Sequence, residues 1–321
     1  MVLEVQYSEE LLLDTYGATH PGKVRECNED VVLVRDDLHL YVVCDGAGGH
    51  DAGDVASTAA VRTIAKYFIE TAARTAKAPV FDVNGIATGA RRLCTALQKA
   101  NRFIWEMSKS ANSKRGMGST AVAACFTPAS SLMHIVHVGD SRAYRWRAGH
   151  LDLLTQDHSV INEVIEQRPD LDDAVLGALP RHAVTRALGM EERLRVSFSS
   201  FEVVNGDRYL LCTDGLTGPV PPMEVAAALG SGEDPRGTVE TLIALANDAG
   251  GPDNVAAVVI DCRSPRSSAL PVELSVADLL PEGPMASEPE ILLLGIEELN
   301  LETLAGGDQE LVKTLEALLK R

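Results

Sequence analysis

The stretch LHLYVVCDG, residues 38–46, decides the fold class. An apolar run rich in valine, leucine and tyrosine reads as a buried strand over Leu38 to Cys44, and Asp45–Gly46 ends it. The same design recurs three times along the chain. IVHV runs into Gly139–Asp140, YLLC and Thr213 run into Asp214–Gly215, and Pro252–Asp253–Asn254 precedes VAAVVI. Working outward, further β-type runs cover Val31 to Val34, Ala121 to Phe126, Met133 to Val138, Ala143 to Trp146, Arg208 to Cys212 and Val255 to Ile260. Helical spacing of apolar residues covers Asp54 to Thr71 and Gly89 to Ser108. Strands and helices do not alternate one for one, as a doubly wound parallel sheet requires. The pattern predicts a layered α+β fold.

With 321 residues and 45% hydrophobic content, the chain can bury one large core with a small appendage. Its net charge of −17 argues against nucleic acid or an anionic membrane as partner, because both need clustered Lys and Arg. Six cysteines (27, 44, 94, 125, 212 and 262) form no C-x-x-C pair and have no zinc-type spacing with histidine, so reduced and mostly buried thiols are expected. The acidic start lacks the basic and apolar segments of a signal peptide, and no stretch approaches the ~18 apolar residues of a membrane span. A cytoplasmic protein is expected. Residues 1–262 read as the main domain, 263–290 as a Pro/Ser-rich acidic linker, and 291–321 as an acidic tail ending in an amphipathic helix. Residues 263–321 hold 11 Asp/Glu against 5 Lys/Arg.

Four strand-edge aspartates bring several carboxylates to one rim, where their repulsion needs neutralising. Hard divalent cations with oxygen ligands do this, and an all-oxygen set favours magnesium or manganese over zinc. Any single Asp-Gly is more often an ordinary turn; four in one design shift the balance to a site. Glycine after Asp45 also lets a backbone carbonyl approach a cation. Ahead of Val31 lies RECNED, residues 25–30. Read alone it is a solvated turn. Beside a metal cluster, Arg25 can grip a phosphate, and Glu29 with Asp30 can accept hydrogen bonds from metal-bound waters.

In this order the blocks GKVRECNED (22–30), VVCDGAGGHDAG (42–53), GMGSTAV (116–122), HVGDSRAYRW (137–146), DHS (157–159), TRALG (185–189), CTDGLTG (212–218) and GGPDNVAAVVI (250–260) resemble the metal-dependent Ser/Thr protein phosphatases of type 2C, the PPM family, in bacterial single-domain form. The resemblance covers residues 12–262. It implies a four-layer α-β-β-α sandwich of two antiparallel sheets flanked by helical pairs, with metals at one end. It further implies that Asp45 bridges two Mn2+ or Mg2+ ions and that the Gly46 carbonyl joins the first. Asp214 and Asp253 complete the second, and Asp140 serves a weaker third with Asp214. Arg25 then binds the substrate phosphate, with Glu29 and Asp30 behind the ligands. Phosphoserine or phosphothreonine in proteins is cleaved by a hydroxide bridging the metals, without a phosphoenzyme, in opposition to a bacterial Ser/Thr kinase. The segment Asp157 to Arg186 corresponds to the family's flap, where Arg181 and His182 are candidate substrate contacts.

Two departures stand out. Ala47 replaces the Met or His of many relatives, which leaves the proton donor unassigned; His50 is the nearest substitute, in a loop where histidines usually only meet water. Gly218 replaces the usual Asp or Asn, which implies weaker occupancy of the third site. GMGSTAV reads as structural, since Ser119 and Thr120 have no histidine-acid partner pattern. Two rival functions are a pseudophosphatase that binds without turnover, and an adaptor that docks partners through flap and C-terminal tail.

Overall fold

The computed structural model describes residues 11–48, 52–110, 116–171, 179–180 and 183–264. The strands are β1 (Leu12–His20), β2 (Val31–Arg35), β3 (Leu40–Cys44), β4 (Gly46–Ala47), β5 (Gly118–Ser119), β6 (Ala121–Thr127), β7 (Leu132–Val138), β8 (Arg142–Arg147), β9 (His150–Leu153), β10 (Ser197–Glu202), β11 (Arg208–Cys212) and β12 (Val255–Arg263). The α-helices are α1 (Ala52–Thr75), α2 (Thr88–Ser110), α3 (Val160–Gln167), α4 (Asp214–Thr217), α5 (Pro222–Leu229) and α6 (Pro235–Asp248).

Two five-stranded sheets carry the fold, ordered β1-β12-β11-β8-β9 and β10-β7-β6-β3-β2, with β4-β5 as a small third pair. Every pairing is antiparallel. The two-residue alternation of the strands sorts side chains into layers. From β3, Tyr41 and Val43 enter the core between the sheets, while Leu40, Val42 and Cys44 face α1 and α2. From β12, Ala256, Val258, Ile260 and Cys262 enter that same inter-sheet core, and Val255, Ala257 and Val259 pack with α5 and α6. Central strands are thus apolar on both faces because both faces are covered. The α-β-β-α sandwich expected from the resemblance is what forms.

Several boundaries differ from the sequence reading. A 3-10 turn over Asp36–Leu38 and a left-handed His39 (φ 48°) delay the start of β3 to Leu40. The unforeseen strands β1, β9 and β10 all lie at sheet edges. Their half-exposed faces carry the polar residues that masked them, as in SFSSFE of β10. Helices α5 and α6 were also unforeseen, although Asp234 caps α6 by accepting from the Gly237 N–H and Pro235 occupies its first turn. Five cysteines are buried and Cys27 is exposed, all as free thiols. Among the described residues no helix is long and apolar enough to cross a membrane. The expected linker begins at 263, but Arg263 still belongs to β12; the rest of linker and tail from 265 to 321 lies outside the described residues, as do His50, Arg181 and His182.

Candidate metal centre

One end of the sandwich gathers the strand-edge carboxylates. Asp30 immediately precedes β2 and Asp45 follows β3, and the register Val31↔Cys44 sets them side by side. Asp140 lies in the turn from β7 to β8, Asp214 follows β11, and Asp253 precedes β12; the registers Cys212↔Arg142 and Cys212↔Ala257 bring these three to the same end. Both sheets therefore contribute. The turn holding Asp140 is where the chain crosses from one sheet to the other.

Glycines let these segments close on one another. A Cβ on Gly46 would stand 2.3 Å from the Gly53 carbonyl oxygen, and one on Gly215 only 1.7 Å from that of Asn254. A Cβ on Gly53, at the start of α1, would meet the Glu29 carboxylate at 2.6 Å. Glycine after Asp45 and Asp214 is required by packing between segments, over and above any turn.

Backbone ties fix the carboxylates. The Gly46 N–H donates to the Glu29 carbonyl at 3.2 Å, and the Ser57 hydroxyl donates to the same oxygen at 2.6 Å. Asn254 accepts from the Glu29 N–H at 2.8 Å and donates to the Pro21 and Cys27 carbonyls at 3.0 and 2.8 Å. It thereby staples the RECNED turn to the start of β12. Thr120 exchanges bonds with Asp45: its N–H donates to the Asp45 carbonyl at 2.8 Å, and its hydroxyl accepts from the Asp45 N–H at 3.2 Å. Thr120 and Ser141 hydroxyls share a bond of 2.7 Å. Sequence reading missed Asn254, Thr213, Thr120 and Ser141 as positioning groups, because nothing in a neutral side chain marks it until its partners are known.

The electrostatics are those of a crowded anionic pocket. Burial pushes the Asp30 carboxyl up to about 8, with Asp214, Asp253 and Glu29 adding to the rise against a hydrogen bond from Thr213. Burial and then Asp30, Asp214, Asp140 and Asp253 hold Asp45 well above the usual carboxylate range. Asp140 is raised to about 7, first by burial and then by Asp214. Glu29 is raised by burial, against the pull of Arg25. Asp30 accepts from the Thr213 hydroxyl at 2.8 Å through Oδ2, and its buried Oδ1 has no hydrogen-bond partner among the described residues. Arg25 is exposed, with Nη2 on Asp253 Oδ2 at 2.8 Å. Among the described residues, no three His, Cys, Asp or Glu side chains already close on a common point as a cation cage. They are close enough to raise one another's proton affinity.

A divalent cation fits this set. The donors are oxygens, their mutual repulsion is what a hard cation relieves, and Asp30 Oδ1 is a buried acceptor awaiting a donor such as a cation's water. Fold and carboxylate cluster together define an α-β-β-α sandwich with an oxygen-rich site suited to a divalent cation at one end.

Residues 17–234 match the family described as Protein phosphatase 2C. The serine/threonine phosphatase stp of Listeria welshimeri is 33% identical over 246 residues, 76% of this chain and 93% of that protein. The solved Mycobacterium tuberculosis serine/threonine phosphatase PstP/Ppp is 30% identical with a TM-score of 0.67, covering 78% of this chain and 99% of that one. A PstP catalytic domain solved in complex with two manganese ions is also 30% identical, with a TM-score of 0.64 over 79% of this chain and 99% of that one. The chain belongs to the protein phosphatase 2C family, and is a Ser/Thr protein phosphatase, a metal-dependent hydrolase acting on phosphoproteins.

Proposed function

We propose that the carboxylate end of the sandwich is the reaction centre, and that Asp45, the Gly46 carbonyl, Asp214 and Asp253 hold two Mn2+ or Mg2+ ions there. Asp140 is assigned to a weaker third. The observation that carries this reading is the convergence of Asp30, Asp45, Asp140, Asp214 and Asp253 from both sheets on one sandwich end, where the buried Oδ1 of Asp30 has no hydrogen-bond partner among the described residues. When bound, such ions supply Lewis-acid charge and lower the pKa of coordinated water from ~15.7 towards 7.

The chain's own residues do the rest. Arg25 places Nη2 on Asp253, and its exposed side chain has further guanidinium donors. A phosphate monoester can take those donors in a planar two-point contact. Glu29, held at the start of α1 by a backbone bond from Gly53, and Asp30, oriented by Thr213, accept hydrogen bonds from water at the site. The leaving serine or threonine oxygen needs a proton, and Ala47 offers none. The physiological substrate class is phosphoserine and phosphothreonine proteins, the products of a Ser/Thr kinase.

Phosphate release from a phosphothreonine peptide by the full chain tests the reading. Turnover should require Mn2+ or Mg2+, vanish in Asp214→Ala, and fall by about 100-fold or more in Arg25→Ala, the scale for losing a group that stabilises transition-state charge. Wild type that binds the phosphopeptide without turnover under both metals would establish the pseudophosphatase instead.

A further inference from the structure

The segment Gln156–Ser159 leads into α3 and grips the turn that carries Asp140. The His158 N–H donates to the Gly139 carbonyl at 2.9 Å, and the Gly139 N–H donates back to His158 Nδ1 at 3.1 Å. Nδ1 therefore carries no proton, and Nε2–H donates to the Ser197 hydroxyl of β10 at 2.9 Å. His137 lies flat against this ring, centroids 4.7 Å apart, and its Nε2 bonds the Gln156 carbonyl at 2.7 Å. One residue along, Asp157 accepts a two-pronged contact from Arg142, with Nε at 2.9 Å and Nη2 at 2.7 Å. Gly139 and Arg142 bracket Asp140 and Ser141, so both ends of the Asp140 turn are held by consecutive residues of one strap.

The far side of the turn is equally tied. Gly139 adopts φ 96°, and a Cβ there would strike Thr120 at 2.6 Å. Ser141 bonds Thr120, which bonds the Asp45 backbone. The strap also anchors the segment beyond it: the Thr185 N–H donates to the His158 carbonyl, and the Val160 N–H to that of Ala183. Burial holds the His158 ring neutral, pushing its pKa down to about 2 with help from His137, Arg186 and Arg195, so the acceptor at Nδ1 persists across the working pH range.

We infer that Asp157 and His158 are positioning residues for Asp140, joining the strap 156–159 and the Ala183–Thr185 stretch it anchors to the reaction centre, so that the set of the Asp140 turn depends on the Nδ1 acceptor of His158. The inference rests on the assignment of Asp140 to the metal centre. Asparagine at 158 places a carbonyl oxygen near the Nδ1 position and keeps the Gly139 bond. Glutamine reaches towards Ser197 and loses it.

Mn2+ binding followed by electron paramagnetic resonance on the full chain, with kcat and KM on a phosphopeptide, tests this. His158→Gln and His158→Leu should weaken the Mn2+ step that Asp140→Ala weakens, by about tenfold, the lower range for losing a group that orients a ligand. The other steps and KM should hold, and kcat should fall in proportion. His158→Asn should restore both readouts. Unchanged Mn2+ steps in the Gln variant would overturn the inference. So would an Asn variant as impaired as Gln, or a wild type with no step sensitive to Asp140→Ala. Loss of wild-type turnover with these Mn2+ shifts intact would instead count against the phosphatase chemistry.

Discussion

Gly215→Ala is the sharpest perturbation of the site that leaves every carboxylate in place. Gly215 follows Asp214 in the short helix α4, and an added Cβ would lie 1.7 Å from the carbonyl oxygen of Asn254, the residue after Asp253. Carbon and oxygen at ordinary contact need roughly 3.3–3.5 Å, so α4 and the start of β12 must part by about 1.5 Å. The obstacle is backbone on both sides, in the buried Gly215 and the buried Asn254, so no side chain can swing away. Overpacking of this kind costs about 1–3 kcal/mol, and for a chain of this size that is several degrees of Tm at about 2–4 °C per kcal/mol. The functional cost is larger. Displacing Asp214 from Asp253 by more than 1 Å should lower kcat by about 100-fold, and KM should rise with it where the start of β12 is the side that moves, because Asp253 holds Arg25 and Asn254 ties the turn that carries it. Phosphopeptide kinetics under saturating Mn2+, with thermal melts of the same samples, provide the assay. Gly237→Ala in α6 is the control: its Cβ would meet only side-chain atoms of Glu233 and Asp234, at 3.3 Å or beyond, and alanine in a helix gains up to ~1 kcal/mol. A Gly215→Ala enzyme with wild-type kcat and Tm would refute the claim that glycine there keeps the two aspartates together.

Two further outcomes follow from named contacts. His134 is buried between Thr127 and Ser200, and burial lowers its pKa from 6.5 to about 4. The unfolded ring takes a proton at higher pH than the folded one, so its contribution is full above 6.5 and is lost as pH falls through about 4, for a total of ~3 kcal/mol. Denaturant melts of wild type and His134→Gln should converge by that much between pH 7.5 and 4; parallel curves would show that the ring titrates normally. Gly218→Asp adds a carboxylate at the end of α4, but its Cβ would press to 2.9 Å on the Asp214 carbonyl, the acceptor of the Gly218 N–H. The expected result is a tighter weakest Mn2+ step alongside a lower Tm, and a titration superimposable on wild type would remove Gly218 from the account of the third ion.

What the sequence disclosed tracks burial. Central strands such as YLLC and VAAVVI were legible because both faces are covered, leaving no polar residue to interrupt the run. Edge strands β1, β9 and β10 were not, because half of each faces water and the two-residue alternation competes with turn-like composition. The carboxylates were legible for the same reason as the strands: an aspartate at the edge of a buried run contrasts with it. Thr120, Ser141 and Asn254 offered no such contrast. Their importance lies in partners 75, 21 and 225 residues distant in the chain, for the bonds Asp45–Thr120, Thr120–Ser141 and Glu29–Asn254. No local pattern reports a pairing at that range.

The location of the site between sheets has an energetic consequence. Asp45 follows a strand of one sheet, whereas Asp214 and Asp253 flank strands of the other, so their separation is set by the core that joins the layers. Tyr41 and Tyr209, both fully buried in that core, bond towards acids at its margins: Tyr41 to Asp36 at 3.2 Å and Tyr209 to Asp207 at 3.4 Å. Cations held jointly by the two sheets would in turn clamp them, and binding to the folded state alone stabilises it by mass action. Burial, and after it the neighbouring carboxylates, raise Asp30, Asp45 and Asp140, and that cost of gathering acids works against the same closure. With the ions held as proposed, loading and the cohesion of the sandwich would be one equilibrium, and a substitution that loosens the inter-sheet core should weaken metal binding without touching a ligand.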